Sequence, residues 1–471
     1  MSSSSRVRTW AGEALAAARP GVYWLDDAER PDPLPPLPAD LRADLVVVGG
    51  GYCGLWTALR AVERDPGRRV VLLEAGQCGD QASGRNGGFA AASLTHGFAN
   101  GQARWPEELA LLDRLGAENL RQIGDTVRRY GIDCDWQEVG ELTVATRPHE
   151  VDELAAYARD LQAAGHPATL LDEAAVRAEL HSPTYLAGLF EPDTALVEPA
   201  RLAWGLRRAC LEAGVQVHEH TPVTGLGRQG DQVVVHTDRG RVHADRVALA
   251  TNAFPSLLRR LRLMTVPVYD YVLMTEPLSA DQKAAIGWER RQGVGDAANC
   301  FHYYRLTRDD RILWGGYDAV YHYGSRIEPH LEQQGPTHAR IAEHFFATFP
   351  QLEGLTFSHR WAGVIDTCTR FSAFFGTGHQ GRVAYALGFT GLGVAATRFG
   401  ADVMLDLLAG EETERTSLRM VRERPLPFPP EPVRAAGINL TRRALVRADA
   451  EDGRRNLWLR TLDRVGLGFD S

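Results

Sequence analysis

The chain of 471 residues is longer than one typical domain core, so two closely packed domains are expected. Its formal net charge of −8 argues against a broad nucleic-acid or anionic-membrane surface. Six cysteines without a C-x-x-C pair point away from a disulfide framework or a zinc site and towards a reducing cytoplasm. No run reaches the ~18 apolar residues of a membrane span, and the N-terminus has no apolar signal core.

Residues 1–40 read as an extension, with a short helix near Trp10–Arg19 and an extended proline-rich linker over 31–38. The stretch Asp44–Gly88 follows. Val46, Val47 and Val48 predict a buried parallel strand, and Gly49, Gly51 and Gly54 stand in G-x-G-x-x-G spacing. Leu55–Glu63 predicts a helix, Val70–Leu73 a second strand, and Glu74 closes the unit. Strand, tight turn, helix, strand and acid together indicate dinucleotide binding. The first glycine makes the turn, the second lets backbone approach a pyrophosphate, the third lets helix pack on strand, and the acid accepts from a ribose. A small-residue loop, 76–92, comes next.

Helices are predicted over Pro106–Tyr130, Glu150–Ala164, Leu170–Leu180 and Val197–Glu212, and strands over Trp136–Thr146 and Tyr185–Leu189. Short strands follow at Val215–Glu219, Thr221–Leu226, Gln232–Thr237, Gly240–His243 and Arg246–Ala250. Gly225, Gly227 and Gly230 repeat the glycine spacing, but a strand and no helix comes after them, so they predict a hairpin. Val268–Thr275, Phe301–Leu306 and Arg311–Gly316 predict an antiparallel sheet rich in tyrosine, and Gln333–Phe349 a helix. Arg360 opens another strand-like run. Residues 383–410 read as strand, glycine-rich turn and helix, which suggests one parallel sheet closed by the C-terminal piece. The tail 411–471 predicts a proline-rich connector and helices at Leu440–Ala448 and Leu457–Val465.

Four motifs carry a family resemblance: VVVGGGYCGLWTALR with LLEAG, ASGRNGG, ALATNAF and GFTGLGVAATRFGADVMLDLL. Over about residues 40–410 the chain resembles the FAD-dependent amine and amino-acid oxidases of the D-amino acid oxidase superfamily. It most resembles the γ-glutamylputrescine oxidase and glycine/sarcosine oxidase groups. The resemblance implies an α/β plus α+β fold. A Rossmann-like FAD-binding domain (41–100, 195–265, 355–410) is interleaved with a smaller substrate domain on a mainly antiparallel sheet (101–194, 266–354), and a helical extension (411–471) follows. It implies FAD with its ADP-ribose on Gly49, Gly51, Gly54 and Glu74 and its adenine near Val223, with Tyr52, Cys53, Ala75, Gly88, Thr251, Asn252, Gly363, Leu392 and Val394 as further cofactor-binding residues. Ser83, Arg85, Asn86 and Gly87 would lie beside the ring, and Gly388, Thr390, Gly391 and Gly393 at its pyrimidine edge.

Some relatives attach FAD through a Trp-His pair or a cysteine. Here the loop carries Gly84-Arg85, and Cys368 is poorly spaced from Gly388, so non-covalent FAD is expected. Other relatives use a lysine beside the flavin to promote oxygen reduction. The one lysine, Lys283, reads as part of an exposed helix, leaving Arg85 or His302 for that role, or oxygen as a slow acceptor.

The implied chemistry is oxidation of a C–N bond to an imine, with hydrolysis to a carbonyl compound and oxygen reduced to peroxide. Cleavage of an N-carboxymethyl amine to glyoxylate and an amine dehydrogenase with another acceptor are the alternatives. Arg85, Asn86, Tyr271, His302 and Tyr304 are the candidate catalytic residues. Tyr269, Tyr303 and Tyr317 could hold an ammonium group, but each also reads as sheet packing. Arg305 and Arg370 could anchor a carboxylate, or be ordinary strand-end arginines, and Asp366 a second cationic nitrogen, or a turn residue. The expected partners are a small amine or amino acid and oxygen, with no nucleic acid and no membrane; a homodimer is compatible.

Overall fold

The computed structural model describes residues 3–464, 466 and 467. Among these residues two large sheets form the body. The first has eight strands. Its parallel part runs in the order Gln216–His218, Val70–Leu73, Leu41–Val48, Arg241–Leu249 and Val383–Leu387. The apolar runs have no polar alternation because both faces are covered. Leu45, Val47, Val70 and Leu72 pack into one core, and Val46, Val48, Val71 and Leu73 into the other. Phe374–Gly378 extends the sheet beyond Val383–Leu387, and the hairpin Val223–Gln229/Gln232–Thr237 pairs with Arg241–Ala244 on that same side, opposite the edge strand Gln216–His218, so the second glycine motif is a hairpin as expected. The expected strands Gly240–His243 and Arg246–Ala250 are one strand, Arg241–Leu249.

The strands leading to both functional turns flank Arg241–Leu249 in parallel register, Val247 facing Val46 on one side and Val383 on the other. The helices after those turns, Tyr52–Arg64 and Gly393–Ala409, pack together. Arg64 bridges both Asp402 and Asp406 at 2.7 Å. The two glycine turns therefore open at the same end of one sheet.

The second sheet has nine strands, mostly antiparallel. Phe357–Thr367, Val266–Thr275, Ile312–Gly316, His302–Leu306, Gly293–Asp296, Glu141–Ala145 and Ala187–Glu191 form its centre. Two sequence expectations change here. Phe357–Thr367, expected with segment 355–410, pairs instead along Val266–Thr275, and Arg19–Pro20 of the N-terminal extension adds a parallel edge to it. The expected helix Leu170–Leu180 divides into an edge strand, Thr169–Leu171, and a helix, Glu173–Glu179. Asp172 caps that helix through the Ala175 amide and so fixes its start. A small sheet of Phe89–Ala91 and Thr194–Leu196 links the halves.

The helix expected at Leu440–Ala448 begins earlier and spans Val433–Ala450; its first turns, rich in alanine and glycine, carry no amphipathic signal. The last helix runs Leu457–Arg464, and Val465 lies outside the described residues. No helix among the described residues is long and apolar enough to cross a membrane.

Candidate active site

A cavity of about 1350 Å³ opens between the C-terminal ends of the parallel strands and one face of the antiparallel sheet. Its nucleotide end begins where Leu41–Val48 runs into Gly49. That residue sits at φ +109°, and a Cβ on it would lie 2.5 Å from the Ala250 carbonyl oxygen. Gly51 faces Ser83, and Tyr52, Cys53, Ala75, Val223, Thr251 and Asn252 share this wall. Gly54 does not reach the cavity. A Cβ there would come 1.8 Å from the Gly49 carbonyl oxygen, so this glycine lets the helix pack on the turn. Glu74 accepts from the amides of Gly50 at 2.6 Å and Gly76 at 2.7 Å, and burial raises its pKa. A carboxylate has about four acceptor positions, so Glu74 retains lone pairs for a ribose hydroxyl. Thr251 Oγ1 and Asn252 Oδ1 are buried with no protein partner. Two orphaned polar atoms, a glycine cradle and a helix N-terminus suit the nucleotide half of FAD.

The loop beyond is a clamp. Ser83 Oγ accepts from the Tyr52 amide at 2.8 Å. Asn86 Nδ2 donates to the carbonyls of Ala82 and Ser83, and its Oδ1 accepts from the Gly88 amide. Arg85 Nε donates to the Asp80 carbonyl, and its guanidinium meets Glu332 at 2.7 Å. Trp24 and Trp361 hold the Asn86 and Arg85 carbonyls from outside. Gly87 and Gly88 are pressed against Tyr303 and the Val197 carbonyl. Ser83, Arg85, Asn86, Gly87 and Gly88 all line the cavity; Asn86 spends its amide on its own loop, and Arg85 uses Nε and Nη1 on Asp80, Ala362 and Glu332.

The opposite turn is Gly388–Gly393. Gly388, Thr390 and Gly391 have φ of +75°, +48° and +93°, and the helix Gly393–Ala409 starts directly after them. Asp366 accepts from the amides of Gly388 at 2.5 Å and Phe389 at 3.2 Å, and burial pushes its carboxyl up to about 7. Thr390, Gly391, Leu392, Gly393, Val394 and Gly363 line the cavity. Gly388 shapes the turn without lining it.

The substrate end is where the sequence reading and the structure differ most. Successive strand residues face opposite sides. In Val266–Thr275 the cavity face carries Val268 and Asp270, whereas Tyr269 and Tyr271 are buried in the core behind it. In His302–Leu306 the cavity face carries Tyr303, while His302 and Tyr304 lie behind. Tyr271 Oη donates to the Leu331 carbonyl at 2.8 Å, and the Tyr304 hydroxyl pairs with Tyr185 at 2.5 Å. His302 lies between Asp296 at 2.7 Å and His344 at 2.9 Å. Strand parity thus turns Tyr271, His302 and Tyr304, three of the expected catalytic residues, away from the cavity.

The residues missed are Asp270 and Glu141. Asp270 accepts from Tyr303 Oη, and burial pushes its carboxyl up to about 6. Glu141 has the Thr194 hydroxyl at 3.4 Å, and burial raises its pKa as well. Neither carboxylate has a basic side chain paired with it among the described residues. An acid flanked by Tyr269 and Tyr271 on a buried strand was the available signal. Phe89, Phe301, Tyr303 and Tyr317 complete this wall.

The expected carboxylate anchors lie elsewhere. Arg305 donates to the Val197 carbonyl, and Arg370 to the carbonyls of Ser372, Ala373, Met420 and Glu423. Lys283 pairs with Asp310 at 2.7 Å, away from the cavity.

A family described as FAD dependent oxidoreductase (DAO) matches residues 44–407. Gamma-glutamylputrescine oxidoreductase of Escherichia coli is 31% identical over 402 residues, covering 83% of this chain and 89% of its own. Probable oxidoreductase OrdL of Haemophilus influenzae is 29% identical over 411 residues, covering 84% and 89%. The crystal structure of glycine oxidase from Bacillus cereus superposes with a TM-score of 0.66 at 20% identity, covering 81% of this chain and 99% of that one, and so shows the fold. With the glycine cradle and its orphaned polar atoms in place, this match settles the family: the chain is a member of the FAD dependent oxidoreductases and an FAD-dependent enzyme.

Proposed function

We propose that the enzyme oxidises the C–N bond of a cationic amine or N-substituted amino acid to an imine. The imine hydrolyses to a carbonyl compound and a free amine or ammonia, and oxygen is reduced to hydrogen peroxide. One observation carries this reading. The substrate wall combines aromatic faces with two buried carboxylates, Asp270 and Glu141, neither of which has a basic side chain paired with it among the described residues. Arg85 is held by Glu332, Arg442 by Asp318, and Arg434 donates to Ser325. Such a wall selects positive charge, each aromatic face adding about 0.5–2 kcal/mol to an ammonium contact. The 31% identical relative, named for an amine substrate, points the same way.

Bound FAD supplies the hydride acceptor. The protein's part is to place the amine and to remove its proton, since only the neutral amine reacts. Asp270 holds the ammonium and takes that proton, and Tyr303 fixes the carboxylate. Glu74, Thr251 and Asn252 would hold the nucleotide, and the N-terminus of Gly393–Ala409 favours negative charge in front of it. Non-covalent attachment is the reading supported by a loop 83–88 without histidine and by a Cys368 thiol whose pKa burial raises and whose Sγ lies 3.1 Å from the Ser372 carbonyl.

The placement of Lys283 favours a dehydrogenase as the second reading. Peroxide formed per carbonyl product separates the two. A ratio near one is expected. Fast dye reduction with less than a tenth of that peroxide would establish the dehydrogenase.

A further inference from the structure

The family match ends at residue 407, yet residues beyond it complete the cavity. Leu426–Pro429 and one face of the helix Val433–Ala450 form its outer wall. Val433, Gly437, Ile438, Thr441 and Leu445 recur there at helical spacing. The apolar contacts of this helix are mainly with the next one: Ala444, Ala448 and Leu445 pack on Leu459 and Trp458. The connector before the helix is pinned to the body, the Phe428 amide donating to the Leu263 carbonyl at 2.7 Å and Thr369 Oγ1 to the Leu426 carbonyl at 2.8 Å, and the helix's own ties to the body are polar. At one end Glu431 accepts from Tyr321 and the Gly324 amide, and Arg434 donates to Ser325. At the other, Asp449 accepts from the amides of Asn299 and Cys300, both at 3.0 Å, and from Asn299 Nδ2 at 2.6 Å. Arg442 reaches Asp318 at 3.4 Å between them. A unit packed on itself and tied to the body by a few hydrogen bonds opens more easily than one sharing the core.

We propose that residues 426–464 are a gate over the substrate end, latched by Asp449, and that Gly437 sets the length of amine admitted. The second part rests on the amine-oxidation reading. Gly437 lines the cavity, and a Cβ on it meets no atom within 4 Å, so a side chain can be started there in open space. Leucine is also a better helix former than glycine, so Gly437→Leu leaves the helix intact.

Two measurements on the holoenzyme test this. Iodide quenching of the bound flavin's fluorescence reads access without substrate. Asp449→Ala is expected to raise the quenching constant at least threefold and Gly437→Leu to lower it at least twofold, with wild-type flavin content. Turnover of sarcosine and of γ-glutamylputrescine reads length. Gly437→Leu is expected to lower kcat/KM for the longer amine at least tenfold and for sarcosine less than twofold. Unchanged quenching in both variants overturns the gate, and an equal loss on both amines overturns the role of Gly437. If neither amine reacts with the wild type, the reading of these substrates fails, while the iodide result still decides the gate.

Discussion

Asp270→Asn is expected to lower kcat/KM for the amine substrate by about 10²–10⁴-fold, the range typical of losing a positioned general base. Asparagine keeps the shape and can still accept from Tyr303, so the wall remains while its charge and proton acceptor are removed. Burial raises the Asp270 carboxyl from 3.8 to about 6, against the hydrogen bond from Tyr303 and the nearby His302. The ionised form is the working form, so wild-type kcat/KM should rise with pH through about 6, and the variant should lack that limb. Stability gives the opposite sign and serves as the control. A carboxyl whose pKa is higher in the folded state favours folding when protonated, and that contribution is lost as pH rises from 3.8 through about 6. At pH 8 the variant should therefore melt no lower than the wild type. Steady-state pH profiles and thermal melts check both statements. A loss under threefold with the limb intact would remove Asp270 from the chemistry.

The second large effect concerns the cofactor. Gly49→Ala is expected to weaken FAD binding by at least about 100-fold, so that the protein is isolated nearly colourless. The residue sits at φ +109°, where a side chain is strained by on the order of 1–3 kcal/mol. Its Cβ would also lie 2.5 Å from the Ala250 carbonyl oxygen, a backbone atom that cannot swing away. Ala250 precedes Thr251 and Asn252, so the clash displaces both nucleotide-facing walls together. Gly225→Ala is the matched control. It begins the other G-x-G-x-x-G run, but a Cβ there meets nothing within 4 Å, and the hairpin lies at the sheet edge. Flavin content should be unchanged. The ratio of visible flavin to protein absorbance after purification reads both variants.

The difference between these two glycine runs shows what was legible. Dinucleotide binding is encoded in contiguous residues, Val46 to Glu74, where strand, turn, helix and acid follow one another, so local pattern suffices. The turn at Gly388–Gly393 was readable for the same reason. The flavin-side loop was readable in position but not in role. Nothing local shows that Asn86 spends its amide on its own loop or that Arg85 is taken by Glu332, 247 residues later (332 − 85). The substrate wall was least legible. The alternation Tyr269-Asp270-Tyr271 was visible, but which face meets the cavity depends on how distant strands stack. The chosen tyrosines lay on the core side, and the acid between them on the cavity side. Arg305 and Arg370 misled for a related reason: buried arginines bind backbone carbonyls as readily as ligands. The C-terminal wall was hidden because a helix facing a cavity needs no continuous apolar stripe.

The central claim is that this cavity presents a cationic amine to bound flavin. Anaerobic mixing of the yellow holoenzyme with a panel of mono- and diamines, γ-glutamylputrescine and N-substituted glycines tests it directly. Rapid bleaching of the visible flavin band by a cationic amine is expected, slowed at least tenfold in Asp270→Asn. Bleaching confined to substrates that carry a carboxylate and no further positive charge, or no bleaching by any compound, would contradict it.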